Sequence, residues 1–319
     1  MNKKLVKQIA AIVGVAAIFA FIDIGVYSTL VMRNISRHSP GMQKMSVETD
    51  KYVPFSEGSY IKSVDSDMKI SENIPVIDGA AGLLPVYAGF VESVYPESAV
   101  SFNGSDYAPD SKMQYTNTRG AFKNIVDGKA DLIICSGPSE KQLEYARENG
   151  VELELVPIGK DAFVFIVNSN NPVSGLTIDQ IKDIYSGKIT RWSEVGGSRH
   201  LISALTRNEG SGSQTSLQKL MGDTPIAKDY DIFAGSPIGF SFRYYVTDML
   251  EEGGIKMLSI NGVEPSPENI ADDTYPITGE FYAIYRKGEK NPNVMKFIDW
   301  MQSEEGQKIV ADTGYIPLG

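Results

Sequence analysis

The stretch Thr206-Arg207-Asn208-Glu209-Gly210-Ser211-Gly212-Ser213-Gln214-Thr215-Ser216-Leu217-Gln218-Lys219-Leu220-Met221 constrains this chain more than any other. An apolar segment, Leu201 to Leu205, runs into a glycine turn, and Leu217, Leu220 and Met221 then recur at helical spacing. The pattern predicts a strand, a tight turn and a helix. The first N–H groups of such a helix have no internal acceptor, its dipole adds partial positive charge, and the glycines let an oxyanion approach the main chain closely. Ser211 and Ser213 add hydroxyl donors, and Arg207 brings a full charge in a planar fork suited to tetrahedral oxygens. An ordinary capped helix after a solvated turn accounts for the Gly-Ser-Gly-Ser run alone equally well. The arginine before it favours an anion site. No Gly-Lys-Ser/Thr follows the glycines, and neither serine sits in a Gly-x-Ser-x-Gly frame, so the stretch is neither a nucleotide-hydrolase phosphate loop nor a nucleophile elbow.

At 319 residues with 42% apolar content, the chain has material for two domain-sized cores. Its net charge is −10, and outside the first 38 residues it carries 25 basic and 39 acidic side chains. So acidic a body is a poor nucleic-acid binder, and it must hold a small anion by local dipoles and one arginine against its own field. The single cysteine, Cys135, excludes an internal disulfide and follows an apolar run, as a small buried residue does. His38 and His200 both stand in polar surroundings, which argues against a histidine-driven triad or metal centre. No base neighbours Ser211 or Ser213, and no metal, cofactor or nucleotide motif appears. The reading is a binding protein rather than an enzyme.

Lys3, Lys4 and Lys7 precede Ile9 to Met32, an almost wholly apolar run with one acid, Asp23. At about 1.5 Å per residue it spans roughly 36 Å, enough to cross a bilayer. A cleaved signal peptide would use Ile9 to Ile22, but no small-x-small cleavage site and no lipobox follow, which favours an uncleaved transmembrane anchor. The basic cluster keeps that end in the cytoplasm and places the body on the extracytoplasmic side. Residues 1–36 are therefore assigned to the anchor and 37–72 to a polar tether.

The body opens with a short strand, Ile74 to Ile77, a glycine turn through Gly82, and a helix from Leu83 to Tyr95 with Pro85 in its first turn. The N–H groups at Gly82 and Leu83 can face the same anion as the Ser211 loop. A strand near Ala99 to Phe102 follows, then a helix, Gly120 to Val126, for which Thr118 is either a capping hydroxyl or a ligand contact. Asp131 to Cys135 reads as a buried strand ending at Ser136-Gly137, followed by a helix from Glu140 to Asn149. Glu152 to Ile158 and Ala162 to Asn168 read as two more strands. Leu176 to Gly187 reads as a helix, with Thr177 and Gln180 as its capping box and Gly187 as its stop. Strands alternating with helices indicate α/β units and mixed, mostly parallel sheets, in which ligands sit at the carboxyl ends of strands.

Two long motifs in order, Leu176 to Gly197 (Leu-Thr-x-x-Gln-Ile-x-x-Ile-Tyr-Ser-Gly-Lys-Ile-Thr-x-Trp-Ser-Glu-Val-Gly-Gly) and Arg207 to Ser213, resemble the phosphate-binding subunit of bacterial phosphate ABC transporters. The resemblance runs from about Ile74 to the C-terminus. It implies an α/β periplasmic-binding-protein type II fold of two lobes closing on an oxyanion, phosphate foremost. Lobe one would be 73–162 plus 275–319 and lobe two 163–274, with Ala162 to Val167 and Gly279 to Tyr285 as the hinge pair. Carried over by motif, Arg207, Ser211, Gly212 and Ser213 match the lobe-two contacts, and Thr118 matches a serine contact conservatively. Leu83 stands where a threonine is common and offers only its N–H. Ser136, followed by Gly137, stands where an aspartate often accepts the hydrogen of monohydrogen phosphate. The interval Gly222 to Pro237 is short for the family, and Arg243 is either a second cleft cation or a surface ion-pair partner. The implied partner is an ABC permease, with a membrane sensor reading the same fold as the alternative.

Overall fold

A computed structural model describes residues 49–227, 235–249 and 254–318. The expected membrane segment at Ile9 to Met32 and part of the Gly222 to Pro237 interval lie outside the described residues. Among the described residues, no helix is long and apolar enough to cross a membrane.

Nine strands are present among the described residues: β1 (Ile77–Gly79), β2 (Leu132–Ser136), β3 (Leu153–Asn168), β4 (Gly175–Leu176), β5 (Ile202–Ala204), β6 (Ser236–Phe242), β7 (Ile255–Met257), β8 (Ser259–Ile260) and β9 (Thr278–Arg286). Seven form one sheet in the order β1-β2-β9-β3-β6-β5, with β7 also on β3, while β4 and β8 pair separately. The 16-residue β3 runs through both halves of the molecule. Its first part, Leu153 to Ala162, lies antiparallel to β9, and its second part, from Phe163, lies antiparallel to β6 and β7. Two apolar cores flank this strand, one built around Leu84, Tyr87, Phe90, Phe297 and Ile309, the other around Phe165, Ile181, Tyr185, Trp192 and Leu217. The result is a two-lobed α/β fold. Tyr244, Tyr245 and Met249 reach back from the end of β6 into the first core through a π-helical turn.

Local signals hold where caps are strong. Thr177 and Gln180 close a capping box on the helix Ile178–Tyr185, and Ser139 with Gln142 closes another on Glu140–Glu148. Other expectations need correction. The sheet is mixed but not mostly parallel: β2–β9, β3–β9, β3–β6 and β3–β7 are antiparallel, against parallel β1–β2 and β5–β6. The chain crosses between lobes on β3 and returns on its neighbour β9, and two adjacent crossings in opposite senses must be antiparallel. The two strands expected at Glu152 to Ile158 and Ala162 to Asn168 are one: after a bulge between Pro157 and Gly159, the intervening Gly159, Lys160 and Asp161 pair with Phe281, Glu280 and Gly279. By the same pairing β9 lies against Leu153 to Ala162 of β3, so of the expected hinge segment Ala162 to Val167 the β9 register reaches Ala162 alone. The first strand begins at Ile77, beyond Pro75, which cannot donate to a ladder. Ala99 to Phe102 makes no strand, only a 3-10 turn at Glu97–Ala99 and an isolated bridge from Phe102 to Tyr107.

Residues 49–72 are bound to the body instead of spanning solvent as a tether. Tyr52, Val53 and Ile70 are buried, the Phe55 N–H donates to Glu92 Oε2 at 2.9 Å, and the Ile70 N–H donates to the Val94 carbonyl at 2.9 Å. Ser66 is the fastening point: its Oγ accepts from Trp300 Nε1 at 2.9 Å, and its hydroxyl donates to Glu305. Ser66→Ala should lower stability by about 1–2 kcal/mol and speed proteolytic cleavage between residues 49 and 72, measured by denaturation and limited proteolysis of the full chain.

Candidate functional site

A cavity of about 900 Å³ lies where the two lobes meet. Ala80 to Leu83 and Tyr115 to Gly120 wall it on the first lobe, Arg207, Asn208 and Ser211 to Ser213 on the second, Asp161 and Gly279 to Phe281 at the crossing strands, and Tyr245 from the π turn after β6. Gly82, Leu83, Thr118, Ser136, Arg207, Ser211, Gly212 and Ser213 are thus brought to one surface from segments far apart in sequence. Gly137 is not among the lining residues; the direction its side chain would take is filled by the Lys219 ammonium at 3.2 Å.

The second-lobe wall forms as its residues dictate. After β5 the chain turns at Gly210, where φ is +78°, and the helix Gly212–Met221 starts with Ser211 as its cap. Ser211 Oγ accepts the Gln214 N–H at 3.3 Å, and Gln214 Oε1 accepts the Arg207 N–H at 2.8 Å, which ties the arginine to the helix it precedes. The Gly212 and Ser213 N–H groups have no acceptor among the described residues and face the cavity. Gly212 also lets the lobes close, since a Cβ there would stand 2.5 Å from Ser136 Oγ.

On the first lobe the organising group is Asp78, fully buried at the end of β1. Its carboxylate accepts the Gly79 N–H at 2.8 Å, the Thr116 N–H at 2.9 Å, the Thr116 hydroxyl at 2.6 Å and Asn124 Nδ2 at 2.9 Å. These bonds bind the Ala80 to Leu83 turn to the start of the helix Asn117–Val126. Thr116, not Thr118, is the cap residue, and its hydroxyl is drawn to Asp78 instead of capping. Thr118 is buried in the first turn against the cavity. Of the two N–H groups expected to face an anion, that of Leu83 is taken by the Ala80 carbonyl at 3.0 Å, while that of Gly82 has no acceptor among the described residues.

Arg119, Lys123 and Arg207 supply the cavity's cations. Lys123 is paired with Asp127, whereas Arg119 and Arg207 have no carboxylate partner among the described residues. Burial raises the Tyr245 phenol above its ordinary value while the Arg207 charge pulls it back, and burial pushes Tyr115 up to about 12. Both hydroxyls therefore stay protonated donors at neutral pH. Burial pushes Asp161 up to about 7, against the pull of the Ala162 and Tyr244 N–H groups and the Arg243 charge. Arg243 does not line the cavity; it donates to the Gly314 carbonyl at 3.3 Å. Among the described residues, no cluster of His, Cys, Asp or Glu can hold a metal ion.

A family model for the PBP superfamily domain matches residues 91–305. The phosphate-binding protein PstS of Bacillus subtilis is 36% identical over 279 residues, covering 82% of this chain and 86% of that protein. The chain belongs to the phosphate-binding-protein family of the PBP superfamily. Protein SphX of Synechococcus elongatus is 25% identical over 276 residues, covering 78% of this chain and 82% of that one. Among solved structures, a Clostridium perfringens phosphate ABC transporter substrate-binding protein with bound phosphate, so described, aligns at a TM-score of 0.58. It is 26% identical, covering 79% of this chain and 100% of that one. The ABC-type phosphate transport receptor of Vibrio cholerae shares the fold at a TM-score of 0.56 and 22% identity, over 78% and 100% of the two chains.

Within this family fold, the lining residues that sequence reasoning missed include Arg119, Asp161, Tyr245 and Glu280. Arg119 directly follows Thr118 and was within reach of a motif reading. Asp161 and Glu280 sit on strands whose pairing brings them to the cavity, and Tyr245 depends on the π turn. None of these three carries a local signal.

Asp78→Ala leaves two main-chain donors without their acceptor and should cost about 3 kcal/mol or more, measured by chemical denaturation. For Asp161, the native carboxyl binds its proton more tightly than the unfolded one. Its favourable contribution is complete below the ordinary value of 3.8 and is lost as pH rises to about 7. The stability of the wild type relative to Asp161→Asn, whose Oδ1 keeps both N–H bonds, should therefore fall between these pH values and level off above them.

Proposed function

We propose that this chain is the extracytoplasmic solute-binding subunit of an ABC-type uptake system, capturing phosphate or a similar small oxyanion between its lobes and delivering it to a membrane permease. The observation that carries this reading is the convergence on one cavity of the Arg207 guanidinium, the Gly212 and Ser213 N–H groups, and the Ala81–Gly82 turn from the opposite lobe. Fixed N–H donors and a guanidinium replace an anion's hydration shell without any counter-anion, at roughly 1.5–3 kcal/mol per charge-assisted bond. The names of the relatives point the same way. The binding set is Gly82, Thr118, Ser136, Arg207, Ser211, Gly212 and Ser213, with Leu83 shaping the turn. The lobes are 73–162 with 275–319, and 163–274. The reading is of a solute-binding protein rather than an enzyme, as the names of the relatives suggest. The apolar run from Ile9 to Met32 anchors it in the membrane.

Calorimetric titration of the purified full chain tests the reading. Phosphate should bind with measurable heat, and Arg207→Ala should weaken binding roughly 100-fold. Absence of heat with phosphate and with sulfate would remove the assignment.

A further inference from the structure

The two lobes are fastened to each other at the edge of the cleft, where side chains of the first lobe converge on Glu209 and Gly210. Gln142 donates from Nε2 to the Gly210 carbonyl at 3.1 Å, and Lys141 Nζ lies 2.7 Å from Glu209 Oε2. Arg119 lays its aliphatic stem against Gly210, with Cγ 3.2 Å from where a Cβ would stand. Gly210 immediately precedes Ser211, the cap of the helix whose N–H groups face the cavity. The other end of the Gln142 amide is also engaged: Oε1 accepts the Ser139 N–H at 2.8 Å within the capping box. One amide is thus held by its own helix on one side and grips the opposite lobe on the other.

We propose that Gln142, with the Lys141–Glu209 pair beside it, is a positioning latch that holds the Arg207 loop against the first lobe and sets how long a captured oxyanion stays. The inference takes its ligand from the function proposed above, but the latch itself is a property of the lobes. The two contacts contribute unequally. The side chains of Lys141 and Glu209 are 70% and 52% exposed, so their attraction is screened by water and salt. The Gln142 bond is partly buried, and its donor is already oriented by the cap, so little rotamer freedom is lost in making it. Opening the cleft must break that bond, whereas an anion entering an open cleft does not meet it. The effect therefore falls on release and not on capture.

Gln142→Glu separates the latch from the cap. A glutamate oxygen still accepts the Ser139 N–H, as capping boxes require, but it cannot donate to the Gly210 carbonyl. With the full chain and inorganic phosphate as probe, release followed by stopped flow should be about fivefold faster in Gln142→Glu, with the association rate unchanged. Lys141→Ala should change release by less than about twofold. Spin labels at Glu148→Cys and Asp223→Cys, with Cys135 buried and unlabelled, report lobe separation without ligand, which should widen in Gln142→Glu. Wild-type release together with unchanged separation would overturn the latch. If the wild type binds no phosphate, the functional reading fails and the separation alone decides the latch: widening keeps it and no change ends it.

Discussion

The arrangement of this molecule hangs on β3, a strand with a different partner at each end. From Leu153 to Ala162 it is held by β9, and from Phe163 onward by β6 and β7. Its backbone N–H and C=O groups must be paired wherever they are buried, so the strand cannot stop at the lobe boundary without leaving donors orphaned. Continuity through the boundary keeps both cores in register with one axis. It also places Asp161 and Gly279, opposite each other on β3 and β9, at the floor of the cleft. The shared strand thus joins the two walls of the cleft at its base.

The site then solves an electrostatic problem particular to this chain. The body is strongly acidic, and long-range attraction cannot concentrate an anion near it. Short-range donors must do the holding. Main-chain N–H groups at a helix start are suited to this because they bring partial charge without a counter-ion and lose no side-chain freedom when used. Asp78 supports them from behind: its buried charge is consumed by four hydrogen bonds that orient the first-lobe turn, so it acts as a bracket for the donors. The buried Asp161 carboxyl lies closer to the ligand space, and its raised affinity for a proton lessens the repulsion it offers an anion.

Lobe closure draws on the same parts. Ser136 meets Gly212 where only a hydrogen can fit, and Gln142 reaches Gly210 where only a left-handed residue can turn. The glycines of this turn thus combine the proposed donors with the close contact between lobes. Apposition of the lobes brings first-lobe donors over an anion seated on the second, so holding the lobes together and holding the ligand are coupled free energies.

Much of this was legible in the residues. The Arg207 to Ser213 turn, its helix, the Thr177–Gln180 capping box and the glycine turn at Gly82 are local: each depends on groups within a few positions, where steric and hydrogen-bonding preferences act without knowledge of the rest of the chain. What misled was equally local. Gly159 to Asp161 fell between two expected strands and instead continues a single one, because pairing with β9 runs through it. The cap position open to Thr118 went to Thr116, whose hydroxyl Asp78, 38 residues earlier in the chain, claims at the helix start. The Leu83 N–H looked free, and the turn itself consumes it. The sequence by itself determined which segments can present donors to an oxyanion, since that follows from glycine, hydroxyl and charge placement over a few residues. Only the tertiary structure decided that those segments face one another, that Asp161 and Tyr245 complete the wall, and that Gln142 bridges the lobes, because each depends on strand pairing between residues that no local preference connects.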